Sequence, residues 1–295
     1  MSPSAQPARR NPRDIRPSVS GSALARLDAA KDDLLAAAGE IAGASAATVM
    51  RAYWSLVAAE DLIDRTPEDI ADTVAHHLAV GATRSPGTPV TAVAAVRMGH
   101  AGHTAIDIVT DDMPFLVDSV TAALRRSGRS LALVVHPQFA VQRDGAGRLV
   151  AVTPKGESEG LSESWMHIEC ALDPERPEDD FADVETLLHE TLADVRAAVM
   201  DWPAMRAKAE EVAAAVAARG GNEAAEAADF LRWLADNHFT FLGYREYDLL
   251  DRDGTDYLAA RSRTGLGVLR DAPDSDMTDR KSTRLNSSHE WISRM

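Results

Sequence analysis

A chain of 295 residues, 45% of them hydrophobic, can bury a core in about two domains. Its 31 Lys and Arg against 46 Asp and Glu give a formal net charge of −15, which excludes a nucleic-acid backbone or an anionic membrane surface as the expected partner. The single cysteine, Cys170, excludes an internal disulfide and a multi-thiolate zinc site, and no apolar run reaches the ~20 residues that cross a bilayer.

In the first 20 residues Arg9, Arg10, Arg13 and Arg16 stand among Pro and Ser without the apolar core of a signal peptide. A disordered tail over residues 1–20 and a cytoplasmic location are the expectation. Leu24, Leu27, Leu34 and Leu35 then share one face of a helix over residues 22–38, and Val49, Tyr53, Leu56, Val57 and Leu62 do the same over 46–63. Thr66-Pro67-Glu68 reads as N-cap, first-turn proline and early acid, and Ile70, Val74, His77 and Leu78 supply a third stripe that Gly81 stops. Residues 21–84 form a helical segment on this pattern. Ser85-Pro86-Gly87-Thr88-Pro89 follows as a linker, because its prolines deny both helix and ladder hydrogen bonds.

Beyond the linker the period becomes extended. Strands are expected over 90–96 and 104–109 around a turn at 99–102. Thr110 to Asp112 would cap a helix with Pro114 near its first turn, Phe115, Leu116, Val120, Ala123 and Leu124 on its inner face, and Gly128 at its end. A strand at 131–135 continues over 139–142 past Pro137, Asp144-Gly145-Ala146-Gly147 turns it, and strands at 149–152 and 164–172 complete the set. Asp173-Pro174 and Pro177 open a helix that carries Val184, Leu187, Leu188, Leu192 and Val195. The expected class is α+β: a sandwich over residues 88–200 in which helices cover one face of a largely antiparallel sheet, and the 90–96 strand fills an edge.

Asp201-Trp202-Pro203 reads as the cap of a new helix, and Gly220-Gly221 separates it from another that starts at Asn222 and turns Ala227, Phe230, Leu231 and Leu234 inward. Residues 201–238 are thus a helical hairpin. An alternating strand at 239–247 and a Gly-flanked run at 265–269 begin a second, incomplete β module over 239–279. Residues 280–295 continue no earlier pattern and resemble translated adapter sequence, a non-native tail.

No dinucleotide turn appears: Gly265-x-Gly267 lacks a third glycine and a following helix. No catalytic, cofactor-binding or metal residue is assigned. His100 and His103 flank a turn, where solvation explains them better than a metal, and Cys170 reads as a buried, inert thiol. Asp107, Asp111, Asp112 and Asp118 gather around the central turn, where capping and the helix dipole explain acids; a polar ligand or a subunit contact is the alternative. Trp165, His167 and Glu169 share one face of a strand and Met166, Ile168 and Cys170 the other, so the first three either line an interface or ligand pocket or belong to a plain amphipathic strand.

Asp112-Met113-Pro114-Phe115-Leu116-Val117 resembles the D-x-P-G-L-L turn of ACT domains, small amino-acid-sensing modules of ferredoxin-like fold. Phe115 stands where that motif has Gly, so the ring is expected to be buried as a plug in the ancestral ligand space. The longer strings DDMPFLVDSV, VVHPQF, ESWMHIE and FLRWLADNHFTFLGYREY together resemble the N-terminal region of the large bacterial NAD-dependent glutamate dehydrogenases, over roughly residues 20 to 279. The resemblance implies an ACT-like regulatory and assembly region whose partners are the downstream catalytic region of the same chain, a homo-oligomeric copy and an amino-acid effector. NAD and the catalytic residues of the parent oxidoreductase would then lie downstream. The competing reading is a free-standing ACT-like amino-acid-binding module.

Overall fold

The structure, a computed structural model, describes residues 21–98, 101–171, 181–252, 255–270 and 277–278. The expected tails, His100 in its turn, and the Asp173-Pro174 to Pro177 helix start lie outside the described residues. The helical segment begins with α1 (Gly21–Ala42) and α2 (Ala44–Trp54). The second helix stops nine residues short of the expected 63, because Leu56 is 87% exposed and the chain tightens instead into a 3₁₀ turn at Ala59–Asp61. Helix α3 (Pro67–Val80) opens with a reciprocal cap: the Thr66 hydroxyl accepts the Asp69 N–H at 3.1 Å and the Asp69 carboxylate accepts the Thr66 N–H at 3.0 Å.

The sheet is built from β1 (Val90–Met98), β2 (Ala101–Asp111), β3 (Leu131–Val135), β4 (Gln138–Arg143), β5 (Leu149–Pro154) and β6 (Leu161–Ala171), with α4 (Leu116–Arg126) between β2 and β3. Every pairing is antiparallel, and the order is β1-β2-β6-β4-β5 with β3 also on β6. Strands β3 and β4 lie end to end along one edge of β6. Pro137, which cannot donate, interrupts them, and its carbonyl accepts the Trp165 N–H at 3.0 Å. Strand β1 takes an edge beside β2.

Helices cover both faces of the sheet, a correction to the one-face expectation. On one face α1–α3 bring Tyr53, Trp54 and Ile70 against Val109, Phe139 and Trp165. On the other, α4 and α5 (Phe181–Ala217) bring Leu116, Val120, Leu188 and Leu192 against Ile106, Met166 and Ile168. Strand β6 is therefore buried on both sides over residues 163–170 and is no amphipathic strand.

Helix α5 runs unbroken through Asp201-Trp202-Pro203, where a new helix was expected. Pro203 cannot donate to the Val199 carbonyl, a local cost of about 3 kcal/mol. Packing outweighs it: Val195 and Ala198 are buried before the proline, and Met205, Ala209 and Ala213 after it. Gly220 and Gly221, at φ 72° and 90°, turn the chain into α6 (Asn222–Trp233), which packs back on α5; Phe230, expected to face inward, is exposed and stacks on Trp233. An irregular turn at Leu234–His238 follows, with Asn237 at φ 60°. The second β unit comprises β7 (Gly243–Tyr244), β8 (Tyr247–Arg252), β9 (Thr255–Ala260), β10 (Leu266–Gly267) and β11 (Met277–Thr278). Residues 239–242, expected in a strand, form no ladder.

Candidate functional site

Around the central turn the acids are held by cations, not by the helix. The N-cap of α4 is Phe115, which makes no side-chain cap, so Asp111 and Asp112 are not capping residues. Asp111 accepts from Arg84 Nη2 at 2.7 Å through one oxygen, and from Arg196 Nη2 at 2.6 Å and the Gly87 N–H at 3.0 Å through the other. Asp112 accepts from Lys155 Nζ at 2.7 Å, Gln138 Nε2 at 2.7 Å and Ser162 Oγ at 3.2 Å. Burial would raise both carboxyls, but these hydrogen bonds outweigh it and leave both below the usual carboxylate range. Asp118 lies in the first turn of α4, exposed, where the helix dipole accounts for it. It does not join the other acids.

Phe115 overturns the plug expectation. Its ring is 47% exposed, and its backbone holds φ 69°, ψ 0°, the left-handed conformation that favours the glycine of the related motif. Phe115→Gly is expected to equal or exceed the parent in stability. Phe115→Ala, which keeps the strain and loses the ring, should lie about 1 kcal/mol below Phe115→Gly. Denaturant midpoints of the two variants check the order, and an alanine variant at least as stable as the glycine one would refute it.

The face of β6 that carries Glu163, Trp165, His167 and Glu169 holds two buried ionic networks on the side covered by α1–α3. In the first, both ring nitrogens of His167 are engaged: Nδ1 donates to Asp107 at 2.8 Å and Nε2 to Glu169 at 3.1 Å. Glu169 also takes a bidentate pair from Arg65 at 2.8 and 2.7 Å. Burial opposes charge on His167, but the bonds to the two carboxylates outweigh it and raise its pKa to about 9. Burial would raise Glu169, yet His167 and Arg65 bring it down to about 2. His77 lies beside them: its Nδ1 accepts the Tyr53 hydroxyl at 2.7 Å and its Nε2–H donates to the Ile108 carbonyl at 3.3 Å, which assigns the neutral tautomer. Burial is the main cause that lowers His77 to about 4, although Asp107 lies 3.4 Å away.

In the second network Glu163 accepts Nε and Nη2 of Arg84 at 2.9 and 2.7 Å, Nε and Nη2 of Arg143 at 2.7 and 2.9 Å, and Trp165 Nε1 at 3.1 Å. Its carboxyl is fully buried, and the two guanidiniums hold it below the usual range against the effect of burial. Neither network leaves a poised acid, base or nucleophile, since each charged group is matched and His167 has no free nitrogen. Cys170 is buried, and burial pushes its thiol up to about 11, as an inert thiol requires.

A separate cleft of about 330 Å³ lies between the central turn, the middle of α5 and residues 237–242, walled chiefly by Phe115, Val199, Trp202, Phe239 and Phe241. Sequence reasoning placed Phe115 at a ligand site but missed the rest of this wall, as it missed Arg65, Arg84 and Arg143, whose partners are remote in the chain. Among the described residues no group of three or more His, Cys, Asp or Glu is placed to hold a metal ion. The glycines of the Gly265-x-Gly267 run are packed against the chain's own backbone. A Cβ on Gly267 would lie 2.2 Å from the Leu242 carbonyl oxygen, so the chain's own backbone already occupies the approach that a pyrophosphate would need.

Comparison with known proteins agrees with this architecture. Residues 49–183 match the family model described as the glutamate dehydrogenase ACT1 domain, a stretch that takes in α3 and all six strands of the sheet. The chain is 32% identical over 232 residues to an NAD-specific glutamate dehydrogenase of Halomonas elongata, covering 76% of this chain and 14% of that protein. It is 35% identical over 175 residues to the protein of that name from Pseudomonas aeruginosa, covering 57% and 11%, and 34% identical over 201 residues to the Mycobacterium tuberculosis one, covering 66% and 12%. The chain thus spans about one seventh or less of the length of these relatives. An antiparallel sheet backed by helices, a D-x-P turn at its centre and this run of similarity place the chain in the NAD-specific glutamate dehydrogenase family, with residues 49–183 as its ACT1 domain.

Proposed function

We propose that the chain is the non-catalytic regulatory and assembly region of an enzyme that converts L-glutamate, NAD and water to 2-oxoglutarate, ammonia and NADH. The observation that carries this reading is the 32% identity over 232 residues to a dehydrogenase of which those residues make up 14%. The saturated ion networks support it, since they offer no group to a substrate. On this reading NAD binds in a downstream catalytic region of the same polypeptide, and the assembled enzyme is a cytoplasmic homo-oligomer. The isolated chain with L-glutamate and NAD is expected to form no NADH above a blank. NADH formation that scales with the chain through further purification would overturn the non-catalytic assignment.

One contact favours an amino-acid effector at the central turn. Asp112 and Lys155 form a partly exposed pair that an ammonium and a carboxylate of one ligand could each replace. Calorimetric titration with L-glutamate should then saturate in the parent and fail in Asp112→Ala. No heat with the parent removes this reading.

A further inference from the structure

The aromatic cleft takes no part in the ion networks, and its wall carries exposed rings and left-handed backbone. Phe115 combines a left-handed backbone with a half-exposed ring, and Phe239 on the facing segment is 55% exposed. Asn237, also in the wall, holds φ 60°. Two of the three positive-φ residues other than glycine among the described residues, Phe115 and Asn237, therefore border one cleft, and backbone strain of this kind concentrates at ligand clamps. Val199 lines the same space, and its carbonyl lacks the usual helical donor because Pro203 has no N–H. Among the described residues no charged side chain lines the cleft, so a ligand with formal charges would lose hydration there without a counter-charge. The volume is about 330 Å³, roughly twice that of an apolar cavity of ~150 Å³ that accepts benzene.

We infer that this cleft binds a flat, uncharged ring compound of about indole size that carries one N–H donor. One face would meet Phe115 and Trp202 and the other the Phe239–Phe241 pair, whose rings stand 67° apart so that one stacks on the ligand and the other meets it edge-on, and its donor would reach the Val199 carbonyl. Bound there, it joins the turn of the ACT1 domain, α5 and the entry to the second β unit, because each supplies part of the wall. The site does not depend on the regulatory reading above, and its failure would leave that reading intact.

Indole itself is the probe, titrated calorimetrically into the chain, with L-tryptophan as the same ring bearing charged ends. Saturable one-site binding of indole is expected, with L-tryptophan at least about tenfold weaker. Phe239→Ala removes a half-exposed ring paired edge-to-face with Phe241, so the melting temperature should fall by no more than about a few degrees while indole affinity falls about tenfold. Val199→Trp fills the cleft and should abolish binding. Absence of saturation up to the solubility of indole overturns the site. So does binding that neither variant weakens, which would mark an adventitious additive only.

Discussion

Glu163→Gln is expected to destabilise the protein by about 3 to 5 kcal/mol, the usual result when one partner of a buried ionic cluster is removed. The parent carboxylate neutralises two guanidiniums that have almost no solvent contact: the side chains of Arg84 and Arg143 are 0% and 2% exposed. The amide keeps the volume but loses the charge. Arg84 would retain Asp111 and the carbonyls of Ser85 and Thr88, and Arg143 the carbonyls of Gly81 and Gly147 but no carboxylate. Glu163→Asp keeps the charge and should recover part of the loss. Urea midpoints at constant m-value measure both. A glutamine variant within about 1 kcal/mol of the parent would show that solvent reaches the cluster.

The second large effect is on the pH profile. His77 binds no proton in the folded state until about pH 4, whereas an unfolded histidine binds one near 6.5. The unfolded chain therefore holds more protons in that window, and stability falls as pH drops from 6.5 to 4, by on the order of 3 kcal/mol. His167 has the opposite sign. Its folded pKa of about 9 lies above the unfolded value, so its contribution is complete below 6.5 and is lost as pH rises through 9. The groups facing His77 are Tyr53 on α2, His76 on α3, and Asp107 and His167 on the sheet; Asp107 is held below the usual carboxylate range and stays ionised through both windows. A stability maximum near pH 6.5 is expected. His77→Gln, which keeps an acceptor and a donor without a proton to gain, should flatten the acid limb alone. An unchanged acid limb in that variant would refute the assignment to His77.

Much of the sheet was legible because alternation and turn chemistry are local. The β1–β2 hairpin, the Asp144 turn and the placement of Trp165, His167 and Glu169 on one face follow from neighbouring residues alone. What that face meets did not, since Arg65 reaches Glu169 across 104 positions and Arg84 reaches Glu163 across 79. Such pairs leave no periodic trace in a single sequence. At Asp111 the local rule pointed the wrong way: an acid ahead of a helix reads as a cap, but the chain places Phe115 at that position and gives the acid to Arg84 and Arg196. Asp201 misled similarly, for its carboxylate accepts the Gly267 N–H at 2.7 Å and pairs with Arg270 at 2.6 Å in mid-helix.

The continuity of α5 past Pro203 has a mechanical consequence. Its 37 residues make a rod about 55 Å long, at roughly 1.5 Å of rise per residue. The N-terminal half is bedded in the sheet through Leu188 and Leu192, and Asp201 fastens the second β unit to the middle. A hinge needs a few residues free to change φ and ψ, and an intact helix has none to spare. A tilt imposed on the rod at the sheet is therefore delivered to the second β unit as a swing of a lever arm, its amplitude growing with distance along the axis.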